Sequence, residues 1–285
     1  MLPSRSFQDD HIFFSYNESE SVTDRHDLHC HNFYEIYFFI AGDVDYLVEG
    51  HRYRPTPGSI LLLSPHVFHG VKIEKNQIYK RISVHFHPDI LSAQRQEFLL
   101  SAFPSLQQVH QKQIFYENTE RFALDFFFHS LLDCIEMPDK LQKQLLPIRI
   151  ESLLSQVVSM TETLSLPAAN AAAARSEDTI AELIRYLNSH LNEDITLDQL
   201  SSRFFISKHH LNKVFRNAAG TTVMDYLLHK RIIAAQQLLI SGASAQDACL
   251  QTGFHDYSAF YRSYTRILGH SPLKDRGVQP VFSKN

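Results

Sequence analysis

The rhythm of apolar and polar positions changes twice along the chain. Between about residues 25 and 90, short apolar runs alternate with turn formers. FYEIYFFI at 33–40, DYLVE at 45–49, SILLL at 59–63 and YKRISVHF at 79–86 are separated by Ala41-Gly42-Asp43, Gly50-His51, Pro55 and Pro57-Gly58. Runs of this length and spacing predict the strands of a small antiparallel barrel or sandwich. From about 117 to 164 the spacing becomes helical. Phe122, Leu124, Phe126, Phe127, Leu131 and Leu132 load one segment, and Leu145, Ile148, Leu153, Leu154 and Val158 load a second, with Pro138 between them. The segment Pro167-Ala-Ala-Asn-Ala-Ala-Ala-Ala-Arg175 then offers nothing large to bury and reads as a linker.

Beyond Ser176 every apolar stripe is helical. Ile180, Leu183, Ile184, Leu187 and Leu191 share one helix face. Thr196 is placed to cap a short helix carrying Leu197, Leu200 and Phe204. Ser207 is placed to cap another, carrying Leu211, Val214 and Phe215 and stopping at Gly220. Thr222 and Asp225 start a long helix reaching about Ile240. A short helix over 244–251 closes at Gly253, and Asp256 starts a last one that ends at Gly269, before Pro272.

Composition narrows the class. The chain has 285 residues, 44% apolar and 12% aromatic, which allows two folded domains. No apolar run approaches the length of a membrane span, and the N-terminus has no apolar core of a secretory leader. Cys30, Cys134 and Cys249 lie far apart, which suits free thiols in a reducing cytoplasm. The net charge of −4 is unevenly spread. Residues 1–175 hold 15 Lys and Arg against 21 Asp and Glu, whereas residues 176–276 hold 11 against 10. No acid lies between Asp198 and Asp225, a window holding Arg203, Lys208, Lys213 and Arg216 beside His209 and His210. Such a window is either a phosphate-binding footprint or a solvated helix face.

The short-helix, turn, capped-helix pattern occurs twice, over 196–217 and 244–267. In the second helix of the first copy, Lys208, His209, Asn212, Lys213 and Arg216 point outward. In the second copy the outward positions are Tyr257, Ser258, Tyr261, Arg262 and Arg266. A helix with one buried face and such groups on the other suits a major groove, where Arg and Lys pair with guanine and Asn with adenine. The segment ITLDQLSSRFFISKHHLNKVFRNAAGTTVMDYLLHKRIIAAQQLL resembles the DNA-binding domain of AraC/XylS-type regulators. So does GFHDYSAFYRSYTRILGHSP, with its Gly-Phe and Gly-x-Ser-Pro signatures. The resemblance covers about 176–276. It implies two helix-turn-helix units joined by the 222–240 helix. It places His209, Asn212 and Lys213, with Tyr257, Ser258 and Arg262, at DNA-contacting positions. The chain departs from the family pattern at Ala245 and Ala248, where larger aliphatics are usual. It departs also at Ser201, where Ala is usual, and at Tyr264, where Phe is.

In the N-terminal half, strand alternation puts His29, His31, Phe33, Glu35, Tyr37 and Phe39 on one face. His-x-His-x-x-x-Glu followed by Gly42 resembles the first cupin motif, and Pro65-His66-Val67-Phe68-His69 the end of the second. The resemblance implies that His29, His31, Glu35 and His69 share an interior. There they line an effector pocket, hold a divalent metal, or sit as satisfied core histidines. His66 stands where cupins carry glycine, and Ile73 where Asn is common. No Gly-x-Gly-x-x-Gly, Walker loop or nucleophile elbow occurs, so no enzyme activity and no cofactor are expected.

The expected architecture is an α+β two-domain chain. An antiparallel, cupin-like β-barrel (1–115) is an effector sensor and a helical hairpin (116–165) a dimerisation segment. A linker (166–176), an all-α domain with two helix-turn-helix units (177–276) and a tail (277–285) follow. The expected function is a cytoplasmic, homodimeric, sequence-specific transcriptional regulator. Its expected partners are double-stranded promoter DNA, a small effector of the sugar type, and RNA polymerase, with no membrane.

Overall fold

The computed structural model describes residues 5–20, 23, 28–73, 78–104, 112–165, 179–219 and 221–276. The expected linker at 166–176 and tail at 277–285 lie outside these residues. Contacts divide the chain into one unit over Met1–Arg175 and another over Ser176–Asn285.

The first unit is built on two antiparallel sheets. The strands are β1 (Arg5–Gln8), β2 (Ile12–Ser19), β3 (Tyr34–Ala41), β4 (Val44–Val48), β5 (His51–Tyr53), β6 (Ile60–Leu63), β7 (His69–Ile73), β8 (Tyr79–Phe86) and β9 (Phe115–Tyr116). The larger sheet has the order β1-β2-β8-β3-β6-β9, and the smaller β5-β4-β7. The expected closed barrel is not formed, because the two sheets stay separate. The four apolar runs became β3, β4, β6 and β8, within a residue or so at each end. β1 and β2 precede the first expected strand and are an addition from the structure.

Alternation in the larger sheet serves two cores. Ile12, Phe14, Ile36, Phe38, Ile60, Leu62, Ile82, Val84 and Phe86 face α2 (Leu124–Ile135) and α3 (Asp139–Ser165). Tyr37, Phe39, Leu61, Leu63 and Tyr79 face the smaller sheet, packing with Val44, Tyr46 and Val48. Burying both faces explains why β3 and β6 read as nearly continuous apolar runs. A short helix, α1 (Gln96–Leu100), adds Leu99 and Leu100 to the first core.

The helical hairpin spends most of its apolar load inside its own chain. Phe128 and Leu131 are fully buried, Leu132 is nearly so, and Phe128 stacks on Phe38 with ring centroids 4.4 Å apart. Phe127 is half-buried against the same core. For the dimerisation expected of this segment, the exposed large apolar groups among the described residues of the two helices are Phe126 (68% exposed) on α2, with Leu141 and Ile148 on α3.

The second unit holds α4 (Thr179–Ser189), α5 (Leu197–Phe204), α6 (Lys208–Ala219), α7 (Val223–Ile240), α8 (Ala245–Gln251), α9 (Tyr257–Leu268) and α10 (Pro272–Asp275). The cap residues read from sequence start these helices. Thr196 and Gln199 form a reciprocal capping box, Thr222 accepts from Asp225 N, and Asp256 accepts from Ser258 N and Ala259 N. Each such cap satisfies N–H groups that a helix start leaves bare, worth about 1 kcal/mol. Among the described residues no helix is long and apolar enough to cross a membrane.

Candidate functional sites

The first candidate site forms where two sequence-distant segments are zipped together. His29 and His69 exchange backbone hydrogen bonds at 3.0 Å each way, and His66 N donates to His31 O at 2.7 Å. The residues before β3 therefore run beside the start of β7. Within the larger sheet, Glu35 on β3 is paired in register with His85 on β8. Backbone pairing thus brings four side chains to one point. Glu35 Oε2 lies 3.1 Å from His69 Nε2, 3.2 Å from His31 Nε2 and 3.4 Å from His85 Nε2.

Glu35 and His69 are buried, and His31 and His85 are half-buried. Burial opposes charge on Glu35, but the charge of His85 and hydrogen bonds from His31 and His69 hold its carboxyl well below the usual range. Burial also pulls the His69 imidazole down. The hydrogen bond and charge of Glu35 outweigh that and leave its pKa raised. Backbone carbonyls orient two of the rings. His69 Nδ1 lies 2.9 Å from Val67 O, and His31 Nδ1 lies 3.2 Å from Phe33 O. An imidazole donating from Nδ1 has a bare lone pair on Nε2 unless it is protonated twice. The His69 Nε2 facing Glu35 therefore carries a second proton or faces a cation shared with the carboxylate. The same orientation by backbone carbonyls is the usual support of a metal-ligating histidine.

Of the residues expected here, His31, Glu35 and His69 converge. His29 is exposed. Its ring lies 4.5 Å from that of His69, with donor atoms close enough to form a second triad, His29–His31–His69. The expectation that His29, His31 and Phe33 continue the strand face is corrected, because β3 begins only at Tyr34. His85 was missed. Its alternation with Tyr79, Arg81 and Ser83 put it on an inward face, but only the β3–β8 register shows that it meets Glu35.

The second candidate site is the outer surface of the two recognition helices. On α6, Lys208, His209, Lys213 and Arg216 are exposed and Asn212 is half-buried. These five line one open depression of about 340 Å³. Two of them have neighbours that the sequence did not reveal. Lys208 Nζ pairs with Asp198 Oδ1 at 2.8 Å, and Asn212 Oδ1 accepts from Val223 N at 3.4 Å. On α9, Tyr257, Ser258, Tyr261, Arg262 and Arg266 are all exposed along one face, opposite the buried Phe260 and Tyr264.

A sheet domain with a convergent polar cluster, in one chain with tandem helix-turn-helix units, defines a class: DNA-binding transcriptional regulators that carry a ligand-binding domain. Comparison with known proteins gives the family. The model of the AraC-like ligand binding domain matches residues 14–158, and that of a helix-turn-helix domain matches 200–277. The chain belongs to the AraC-type transcriptional regulators. It is 26% identical over 251 residues to the HTH-type transcriptional regulator YbfI of Bacillus subtilis strain 168, covering 88% of this chain and 86% of that one. A Staphylococcus aureus HTH-type transcriptional regulator is 29% identical over 111 residues, 39% of this chain but only 15% of that protein. Among solved structures, a probable AraC family regulator from Rhodopseudomonas palustris is 25% identical with a TM-score of 0.33. That match covers 35% of this chain and 97% of the other.

Proposed function

We propose that this regulator reads a specific operator with α6 and α9 and that a small polar effector bound at the histidine cluster sets its activity. The observation that carries this reading is the convergence of His31, His69 and His85 on the buried Glu35, with His29 at its exposed edge. So costly a cluster of polar groups adds little to a core and suits a ligand. The effector biases the equilibrium between DNA-binding states through its differential affinity for them. A sugar or related metabolite fits the hydrogen-bonding groups present. His31→Ala and Glu35→Ala should abolish the response of a cognate-promoter reporter and leave operator affinity of the ligand-free protein unchanged. Normal responses in both variants would remove the pocket.

On the DNA side, Lys208, His209, Asn212, Lys213 and Arg216 form the first reading surface, and Tyr257, Ser258 and Arg262 the second. Arg262→Ala should relax base preference at one operator position, by about 1–3 kcal/mol. Asn212→Ala should do so about one helical turn away, and less strongly, because its carbonyl oxygen is already engaged by Val223 N. Binding across a single-substitution operator library measures both. Uniform losses would mean backbone contacts only. The protein acts as a homodimer through the outer faces of α2 and α3, with Phe126 and Ile148 as its exposed apolar groups. Phe126→Glu should yield monomers in sedimentation, whereas a monomeric wild type at micromolar concentration would end that proposal.

A second reading rests on the orientation of the rings. Three imidazoles and a carboxylate are a donor set for Zn, Fe, Ni or Mn, and donor atoms of His31, Glu35 and His85 all lie within 4.8 Å of one another. Such an ion would fix the effector and neutralise Glu35. Near-stoichiometric metal in protein purified without added chelator, lost in Glu35→Gln, supports this reading. Metal-free protein that still responds to effector overturns it.

A further inference from the structure

Next to the histidine cluster, the inner face of the larger sheet carries a second polar group that the cluster does not use. Strand register sets out its rows. Ser15 of β2 and Tyr37 of β3 both pair with Ser83 of β8, and Asn17 and Phe39 both pair with Arg81 one row further on. Arg81 lies on the same face as Tyr79 and reaches in among the tyrosines. Its Nη1 donates to Tyr79 OH at 3.1 Å, and its guanidinium sits over the Tyr79 ring, 5.3 Å from the centroid. Tyr79 OH is in turn 2.9 Å from Tyr37 OH. The Arg81 Nε is enclosed and has no hydrogen-bond partner. Among the described residues Arg81 meets no carboxylate. Its sequence neighbour Lys80, on the opposite face, is neutralised by Glu18 at 3.0 Å.

Arg81 is half-buried with its Nε enclosed, and a guanidinium held there with only neutral phenols as partners is a costly arrangement, because a charge drawn out of water needs an opposite charge. Its fork of donors matches two oxygens of a carboxylate or phosphate. The surrounding wall supplies hydroxyls and an amide: Ser15, Ser83, Asn17, Tyr37 and Tyr79. We propose that Arg81 is the counter-ion for an anionic group, carboxylate or phosphate, of the effector. This proposal rests on the reading of the interior as an effector site and names the chemical class that enters it: a small hydroxylated anion, in place of a neutral sugar.

Thermal unfolding of the full chain tests it with formate and inorganic phosphate as probes, each against chloride at equal ionic strength, and with glucose and galactose as neutral controls. Formate or phosphate should raise the Tm of the wild type, Arg81→Lys should keep part of the rise, and Arg81→Gln should lose it. The more effective anion identifies the group. Should Arg81→Gln fail to fold, the Arg81 Nε–H resonance of the wild type, assigned by its loss in Arg81→Lys, gives the answer. It should shift on titration with the effective anion. Equal rises in all three proteins, or no rise and no resonance shift in the wild type, would overturn the proposal. Stabilisation by glucose or galactose alone, with both anions inert, would leave the effector site standing and remove only its charge assignment.

Discussion

The two helix-turn-helix units follow one plan with opposite choices of side chain. In the first, α5 ends at Phe205, whose φ of 55° is left-handed, and Ile206 N donates back to Ser201 O. In the second, Gly253 takes the left-handed position with φ 78°, and Phe254 N donates to Cys249 O. Even the side chain that closes each turn is equivalent: Ser201 Oγ donates to Ile206 O at 2.6 Å, and Cys249 Sγ to Phe254 O at 3.8 Å. The core volumes are exchanged. The first unit buries Leu200 under Leu211 and Phe215. The second sets Ala245 and Ala248 beneath Phe254, Phe260 and Tyr264. Small residues on the supporting helix are matched by larger ones on the turn and recognition helix, and all of them are buried in one cluster. The fold keeps a buried core and the left-handed turn, and leaves open which residue supplies each.

That comparison can be broken most severely at the left-handed positions. Gly253 is required twice over. A Cβ there would lie 2.8 Å from Leu191 O and 3.0 Å from Arg231 Cζ, besides the strain of its φ. Arg231 is the clamp between the halves, donating from Nε to Leu191 O at 2.8 Å and from Nη2 to Glu193 O at 2.6 Å. Gly253→Ala should therefore cost about 2–5 kcal/mol, combining backbone strain with overpacking. Phe205 meets no such crowding, since it is 95% exposed. Phe205→Gly should stabilise by about 1 kcal/mol through relief of the left-handed penalty. Denaturant unfolding of each variant measures both. A neutral Gly253→Ala, or a Phe205→Gly that destabilises, would mean that the left-handed positions do not carry this cost.

The next test concerns two family departures. Ser201 and Tyr264, where Ala and Phe are usual, each add a hydrogen bond. Ser201 closes the first turn, and Tyr264 OH donates to Asp275 Oδ2, tying α9 to α10. Gln236 on α7 also donates to Asp275, at 3.1 Å. Ser201→Ala and Tyr264→Phe should each cost about 1 kcal/mol in the same unfolding assay. A neutral result for Tyr264→Phe would mean that Asp275 is equally well solvated without it.

These details mark the boundary of what the sequence discloses. Helix starts were legible, because Thr196, Thr222 and Asp256 act on N–H groups two or three residues away. The strands β3, β4, β6 and β8 were legible from their apolar runs. β1 and β2 were not, since Ser6, Ser15, Asn17 and Ser19 dilute the alternation. The candidate site was half legible: His31, Glu35 and His69 sit in recognisable motifs, whereas His85 and Arg81 depend on cross-strand register. Register is set by pairing between segments about 50 residues apart, which no local pattern records. The same limit applied to the hairpin, where the periodicity shows an apolar face for Leu131 and Leu132 but not that the sheet covers it.

The smallest expected effect tests the contrast between the recognition helices themselves. Lys208 opens α6 and is paired with Asp198 of α5 at 2.8 Å, both side chains largely exposed. An exposed pair of this kind adds little stability, typically below about 1 kcal/mol. On the proposed DNA-reading surface it should act differently, because the carboxylate would offset a cation otherwise placed to meet a phosphate. The exposed face of α9 offers Arg262 and Arg266 with no ion pair among the described residues. Asp198→Ala should therefore tighten binding to all operator sequences alike and steepen the dependence of log affinity on log salt, by about one unit for one added phosphate contact. Lys208→Ala should weaken binding uniformly by uncovering the carboxylate, and the double variant should return close to wild type. Titrations at four or five salt concentrations resolve the slopes. If Asp198→Ala leaves the slope unchanged while Lys208→Ala lowers it, Lys208 already leaves its partner on DNA, and the two recognition helices present their cations alike.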